Sequence, residues 1–119
     1  MDLNNWDTSN WGITTTNNTV SFDYLMALQI CRLPASLPTT GNINYPKNST
    51  RLIYYSGYDI QHDCTFANCP CLTSDSLRSI INRLPIITSE KTITLGAQNL
   101  LKLTESDIAI ATNKGWTVA

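Results

Sequence analysis

Charge is scarce in this sequence. Charged residues make up 14% of the 119, against about a quarter in an average soluble domain. Eight Lys and Arg stand against nine Asp and Glu, for a net charge of -1. With no basic excess to neutralise phosphates, nucleic acid is not an expected partner. Long apolar runs are missing too. No stretch approaches the roughly 18 residues of a membrane-spanning helix, so membrane insertion is not expected. The opening Met1-Asp2-Leu3-Asn4-Asn5-Trp6 has neither the basic block nor the apolar block of a signal peptide. The expectation is a chain that stays inside the cell that makes it, or leaves as part of a larger assembly such as a virion. Histidine occurs once, at His62. With nine carboxylates it forms no convincing dyad or triad, and a Gly-rich phosphate loop and a metal motif are absent. The chain therefore reads as a non-enzyme with no cofactor.

In place of charge come hydroxyls and amides. Ser, Thr and Asn account for 38 of the 119 residues, and hydrophobic content is 42%. That content is enough for a modest core and argues against wholesale disorder. A neutral surface of this kind suits a β-rich or repeat protein.

The four cysteines are Cys31, Cys64, Cys69 and Cys71, three of them within His62-Asp63-Cys64-Thr65-Phe66-Ala67-Asn68-Cys69-Pro70-Cys71. One His and three Cys could close a tetrahedral zinc site, but the irregular spacing is unlike paired zinc-knuckle ligands. An oxidising compartment would favour a disulfide, with three conceivable pairings that sequence does not separate. The favoured reading is small buried thiols lining a turn-rich core. His62 lies two residues from Cys64, close enough to share a strand face. Nothing orients the pair as base and nucleophile.

Residues 1–20 read as Asn/Thr-rich loop with a short strand near Leu3. Ser21 can cap a helix that stops before Pro34, with Phe22, Leu25, Met26 and Gln29 or Leu28 on an approximate face. Pro34, Pro38, Gly41 and Pro46 mark 34–50 as loop. Arg51-Leu52-Ile53-Tyr54-Tyr55 reads as a strand.

The C-terminal half is more regular. Leu72-Thr73-Ser74-Asp75-Ser76-Leu77 recurs in kind 31 residues later as Leu103-Thr104-Glu105-Ser106-Asp107-Ile108. Each Thr is a candidate N-cap. Asp107 completes a capping-box pattern, and Leu103 and Ile108 are placed for a hydrophobic staple. Leu77, Ile80, Ile81 and Leu84 follow helical spacing up to Pro85. Helices are expected near 74–84 and 105–113, the second closed by Lys114 and Gly115. Strands are expected near 92–95 and 116–118. Leu77, Ile80, Ile81, Leu84, Leu95, Leu103, Ile108 and Trp116 should share one core, with Trp116 as a plug. Helix, strand, helix, strand at a period of roughly 23 to 31 residues signals a stacked repeat with parallel strands.

Ile93-x-Leu95-x-x-x-Asn99-x-x-x-Leu103 fits a loose leucine-rich-repeat pattern. Asp2-Leu3-Asn4-Asn5-Trp6-Asp7-Thr8-Ser9-Asn10 resembles the repeat core of BspA-like leucine-rich-repeat surface proteins. The stretch from Asn68-Cys69-Pro70 through Thr94-Leu95-Gly96 and Ile108-Ala109-Ile110-Ala111 to Thr112-Asn113-Lys114-Gly115-Trp116-Thr117 resembles their terminal cap, as found in gut bacteria and their phages. Residues 11–67 depart from a clean repeat.

The resemblance implies an α/β fold: a short leucine-rich-repeat-like solenoid fragment with a small parallel sheet and a C-terminal helical cap. It would be one domain over 1–119, irregular over 1–67, with the C-terminal repeat and cap over 68–119. It also implies a binding module for a protein or glycan, in surface adhesion or phage–host attachment, at a cell surface or on a virion. The alternative is a small phage-encoded inhibitor that masks a host protein inside the host cytoplasm. Exposed aromatics would be the anchors, and the candidates are Trp6, Trp11, Tyr54, Tyr55 and Tyr58.

Overall fold

A computed structural model describes residues 1–2, 19–21, 25–33, 42–44, 47–57, 60 and 62–119. The expected strand near Leu3 and the motif around Trp6 lie outside them. The described chain is a small α/β domain of short parallel sheets and helices. Its elements are β1 (Thr19–Ser21), β2 (Ile30–Arg32), β3 (Asn42–Asn44), β4 (Tyr54–Ser56), β5 (Cys64–Thr65), α1 (Ser74–Arg83), β6 (Lys91–Thr94), α2 (Ala97–Leu100), α3 (Glu105–Thr112) and β7 (Trp116–Val118).

The C-terminal half follows its local signals. The Thr73 side chain accepts the Ser76 N–H and starts α1, with Asp75 in the first turn and Arg83 in the last, where each complements the helix dipole. Leu77, Ile80 and Ile81 are buried on one face of α1. Thr104 and Asp107 form the reciprocal capping box of α3. Beyond α3 a further turn is closed by Gly115 N–H to the Thr112 carbonyl at 3.0 Å. Gly115 has φ +93°, and a Cβ there would stand 2.9 Å from the Ile87 carbonyl oxygen, so any other residue is both strained and crowded. The short helix α2 carried no signal the sequence reading caught.

Every strand pair among the described residues is parallel. β5, β6 and β7 form one sheet in that order, β1 pairs with β3, and β2 pairs with β4. Thr19 pairs with Asn42, Ile30 with Tyr54, Cys64 with Ile93 and Lys91 with Trp116, so partners lie 23, 24, 29 and 25 positions apart. Parallel strands need such crossovers, because a tight turn cannot join them.

Three expectations for the N-terminal half are corrected. The helix from Ser21 toward Arg32 is not formed. Ser21 belongs to β1, residues 25–28 are a turn closed by the Leu28 N–H on the Leu25 carbonyl, and 30–32 are strand. Tertiary pairing overrides the helical spacing here: the Gln29 carbonyl accepts the N–H groups of Ile53 and Tyr54, and Cys31 is fully buried against β4's neighbourhood. The loop expected over 34–50 contains β3, an Asn-Ile-Asn strand whose partner β1 supplies the order its composition lacks. The strand expected over 51–55 begins only at Tyr54, because Leu52 N–H closes a turn on the Ser49 carbonyl.

One core holds these elements together. Leu77, Ile80, Ile81, Leu84, Ile93, Leu95 and Trp116 are buried in it, joined by Cys31, Leu33, Leu52, Tyr55, Phe66, Cys69 and Leu72 from the preceding segments. Leu103 packs against its margin, whereas Ile108 is only half-buried and lies outside the cluster. Trp116 is the expected plug: 2% exposed, with its indole N–H on the Pro85 carbonyl at 2.9 Å. Ser76 ends the β2–β4 sheet. Its hydroxyl accepts the Tyr55 N–H at 2.9 Å and donates to the Tyr55 carbonyl at 3.4 Å, in place of another strand. The hydroxyl thereby covers the outward N–H and carbonyl of Tyr55 at that edge.

Side-chain hydrogen bonds repeat the backward step of the strands. Asn99 Nδ2 donates to the Phe66 and Cys69 carbonyls, 33 and 30 residues earlier. Lys102 Nζ donates to the Pro70 and Leu72 carbonyls, Lys114 Nζ to the Ile81 and Asn82 carbonyls, and the Cys69 thiol to the Lys47 carbonyl. Asp63 Oδ1 accepts the Thr92 N–H. No helix among the described residues is long and apolar enough to cross a membrane.

Candidate functional site

The aromatic candidates separate by face. Side chains alternate along a strand, so Tyr54 and Tyr55 point opposite ways. Tyr55 is 2% exposed, its ring 5.4 Å from that of Phe66. It is therefore corrected from binding anchor to core residue. Tyr54 is half-buried on the other face, where the Arg32 guanidinium sits 5.2 Å from its ring centroid. Arg32 in turn pairs with Asp2 at 3.7 Å. Trp6, Trp11 and Tyr58 lie outside the described residues.

All four cysteines are thiols with no disulfide among them; Cys31, Cys64 and Cys69 are buried and Cys71 is exposed. Burial pushes the Cys31 thiol up to about 11 and the Cys64 thiol up to about 12, the latter helped by the Asp63 charge. Both are protonated near neutral pH and are poor nucleophiles. His62 is exposed while Cys64 is buried. Among the described residues no three His, Cys, Asp or Glu side chains converge on a common point.

The arrangement with room for a ligand lies elsewhere. An open cleft of about 360 Å³ is lined by Met26, Asn48, Thr50, Ala67, Asn68 and Pro70. Its walls are three successive turns, at 25–28, 47–51 and 66–70. The third turn closes through Cys69 N–H on the Phe66 carbonyl at 2.9 Å. From beneath, Asn99 grips its Phe66 and Cys69 carbonyls, and Lys102 grips those of Pro70 and Leu72. This leaves Ala67, Asn68 and Pro70 to line the outer side. Asn68 Nδ2 donates to Asn48 Oδ1 at 2.7 Å and ties the third turn to the second. Between lining residues Asn48 and Thr50, Ser49 is fully buried, anchoring the second turn. Met26 is 52% exposed.

The cleft carries no charge from any described lining side chain. All eight Lys and Arg of the chain are among the described residues, and none lines it. Among the described residues it therefore offers amides, one hydroxyl and apolar surface, and no cationic side chain to hold an anion. Sequence reasoning missed it. Asn48 and Thr50 fall in a segment read only as loop, and Met26 in one read as a helix. No family model, curated protein or solved structure matches this chain.

Proposed function

We propose that the protein is a non-catalytic binding module built on the plan of the BspA-like leucine-rich-repeat proteins, serving surface adhesion or phage–host attachment, with the turn-lined cleft as its recognition site. One observation carries the reading: among the described residues, several segments are joined to one about two to three dozen residues before them. The parallel strand pairs and the backward hydrogen bonds of Asn99, Lys102, Lys114 and Cys69 share this step. Such links between segments of similar spacing support the solenoid reading. Asn99 also occupies the Asn position of the leucine-rich pattern and spends its amide on the preceding turn, as an inter-repeat tie would.

Stacked turns form a continuous surface, and loops held on a rigid scaffold are where recognition commonly lives. The cleft combines apolar area with a few oriented polar groups, the usual chemistry of a ligand site. Neutral amides and hydroxyls suit a protein or glycan rather than a phosphate.

The test is binding of the labelled protein to intact bacterial cells and to arrayed glycans and proteins. The expected result is saturable binding that Asn68→Ala and Met26→Ala abolish while the fold, followed by circular dichroism, is kept. Binding that survives both substitutions moves the site away from the cleft. Turnover of a substrate in place of binding rejects the module altogether.

A further inference from the structure

We infer that the cleft takes an extended peptide segment free of anionic groups and bearing an apolar side chain; this rests on the cleft being the recognition site. Charge sets the first limit. None of the eight cations of the chain lines the cleft, and no described lining residue is acidic. An anionic ligand entering it would lose hydration and gain no counter-charge from a lining side chain, which is costly in a partly buried site. Phosphorylated, sulfated or acidic ligands are excluded on that ground.

The apolar groups set the second limit. Met26 comes from the first turn and Ala67 and Pro70 from the third, and they meet in one cleft. A half-exposed methionine is a flexible, polarizable surface that moulds to aliphatic side chains of varied shape. The volume of about 360 Å³ lies at the lower end of the range for ligand sites, a fit for a short segment rather than a folded surface.

The amides set the third. Asn68 spends one N–H on Asn48 at 2.7 Å, and that bond restrains its carboxamide. Its second N–H and its Oδ1 remain, one donor and one acceptor in one plane. A residue in an extended main chain offers the complementary pair, its own N–H and C=O pointing to the same side. The match is to the backbone, so affinity comes from main-chain bonds and selectivity from the residue seated against Met26, Ala67 and Pro70, the division of labour of extended-peptide recognition.

The experiment is an NMR titration of the whole chain, labelled at the methionine methyls and at nitrogen. Three probes are added separately: an acetylated and amidated Ser-Leu-Ser-Leu peptide, its Ser-Glu-Ser-Glu counterpart, and methyl β-N-acetylglucosaminide. The expected result is a saturable shift of the Met26 methyl and the Asn68 side-chain amide with the leucine peptide alone. Asn68→Ala should weaken that binding at least several-fold with the backbone spectrum otherwise unchanged. A saturable shift of the same signals by the sugar or the glutamate peptide overturns the peptide assignment and keeps the cleft as a binding site. No saturable shift with any of the three overturns both.

Discussion

Asn99 is the residue whose loss should cost most for its size. It is 1% exposed, and its Nδ2 lies 3.2 Å from the Phe66 carbonyl, 3.2 Å from the Cys69 carbonyl and 3.0 Å from the Leu95 carbonyl. Two N–H groups thus serve three carbonyls, so at least one bond is shared. Asn99 Oδ1 accepts from Lys102 Nζ at 3.2 Å, which helps place that ammonium on Pro70 and Leu72. Asn99→Ala deletes both donors at a buried site. Each lost bond is worth about 1 kcal/mol net, and stranding a buried partner costs about 1–3 kcal/mol. Carbonyls with a second lone pair tolerate this better than amides do, so the expected loss is about 2–4 kcal/mol in all. Asn99→Asp keeps the volume but turns a carboxylate oxygen toward three carbonyl oxygens. It should be no more stable than Asn99→Ala at neutral pH. Urea denaturation followed by circular dichroism measures both, and for a chain of this length about 1 kcal/mol corresponds to roughly 3–6 °C in Tm. If either variant unfolds within about 0.5 kcal/mol of the parent, smaller than one ordinary hydrogen bond, the tie between successive turns is not what holds the 66–72 turn in place.

Three further outcomes follow from the same packing. Leu77 is fully buried on α1, so Leu77→Ala should lose about 2–5 kcal/mol, and an unchanged denaturation midpoint would contradict its place in the core. The Asp107 carboxyl is held below its usual range by the Thr104 N–H and hydroxyl, and then by Arg78. A depressed folded-state value means this stabilisation is present above the unfolded carboxyl's pKa, about 3.9, and is lost as pH falls through the lower folded value. Asp107→Asn should therefore weaken the protein at neutral pH and flatten the acid limb of its stability curve; an acid limb identical to the parent's would refute the assignment. In the folded protein at pH 8 iodoacetamide should modify Cys71 quickly and Cys31 and Cys64 only on unfolding, as mass spectrometry of timed digests would show. Equal rates at all of these sites would contradict the burial of the other two.

Much of the C-terminal half was legible because its signals are local. Thr73, Thr104 and Asp107 act on N–H groups within three residues, Pro85 follows directly on the end of α1, and Gly115 meets a backbone conformation that other residues resist. The apolar spacing of Leu77, Ile80, Ile81 and Leu84 then selects the buried face. One position failed: Ile108 has the right spacing for the core and stays half-buried. The helical pattern says which residues share a face, and only the neighbouring element says how far that face is covered.

The N-terminal half and the cleft have no such local code. Thr-Val-Ser and Asn-Ile-Asn are weak strand sequences, and they are strands because each pairs with the other 23 positions away. Tyr54 and Tyr55 are equivalent as aromatic residues. Register with Ile30 and Cys31 sends Tyr55 to the core and leaves Tyr54 under Arg32. Met26, Asn48 and Asn68 carry no shared motif, and they meet only because successive turns stack and Asn68 bonds to Asn48. The sequence by itself determined the caps, the helices and the apolar stripe, since those depend on contacts within one helical turn. Tertiary structure alone decided the small strands, the faces of the tyrosines and the cleft, since each depends on residues some two dozen positions apart that local chemistry does not connect.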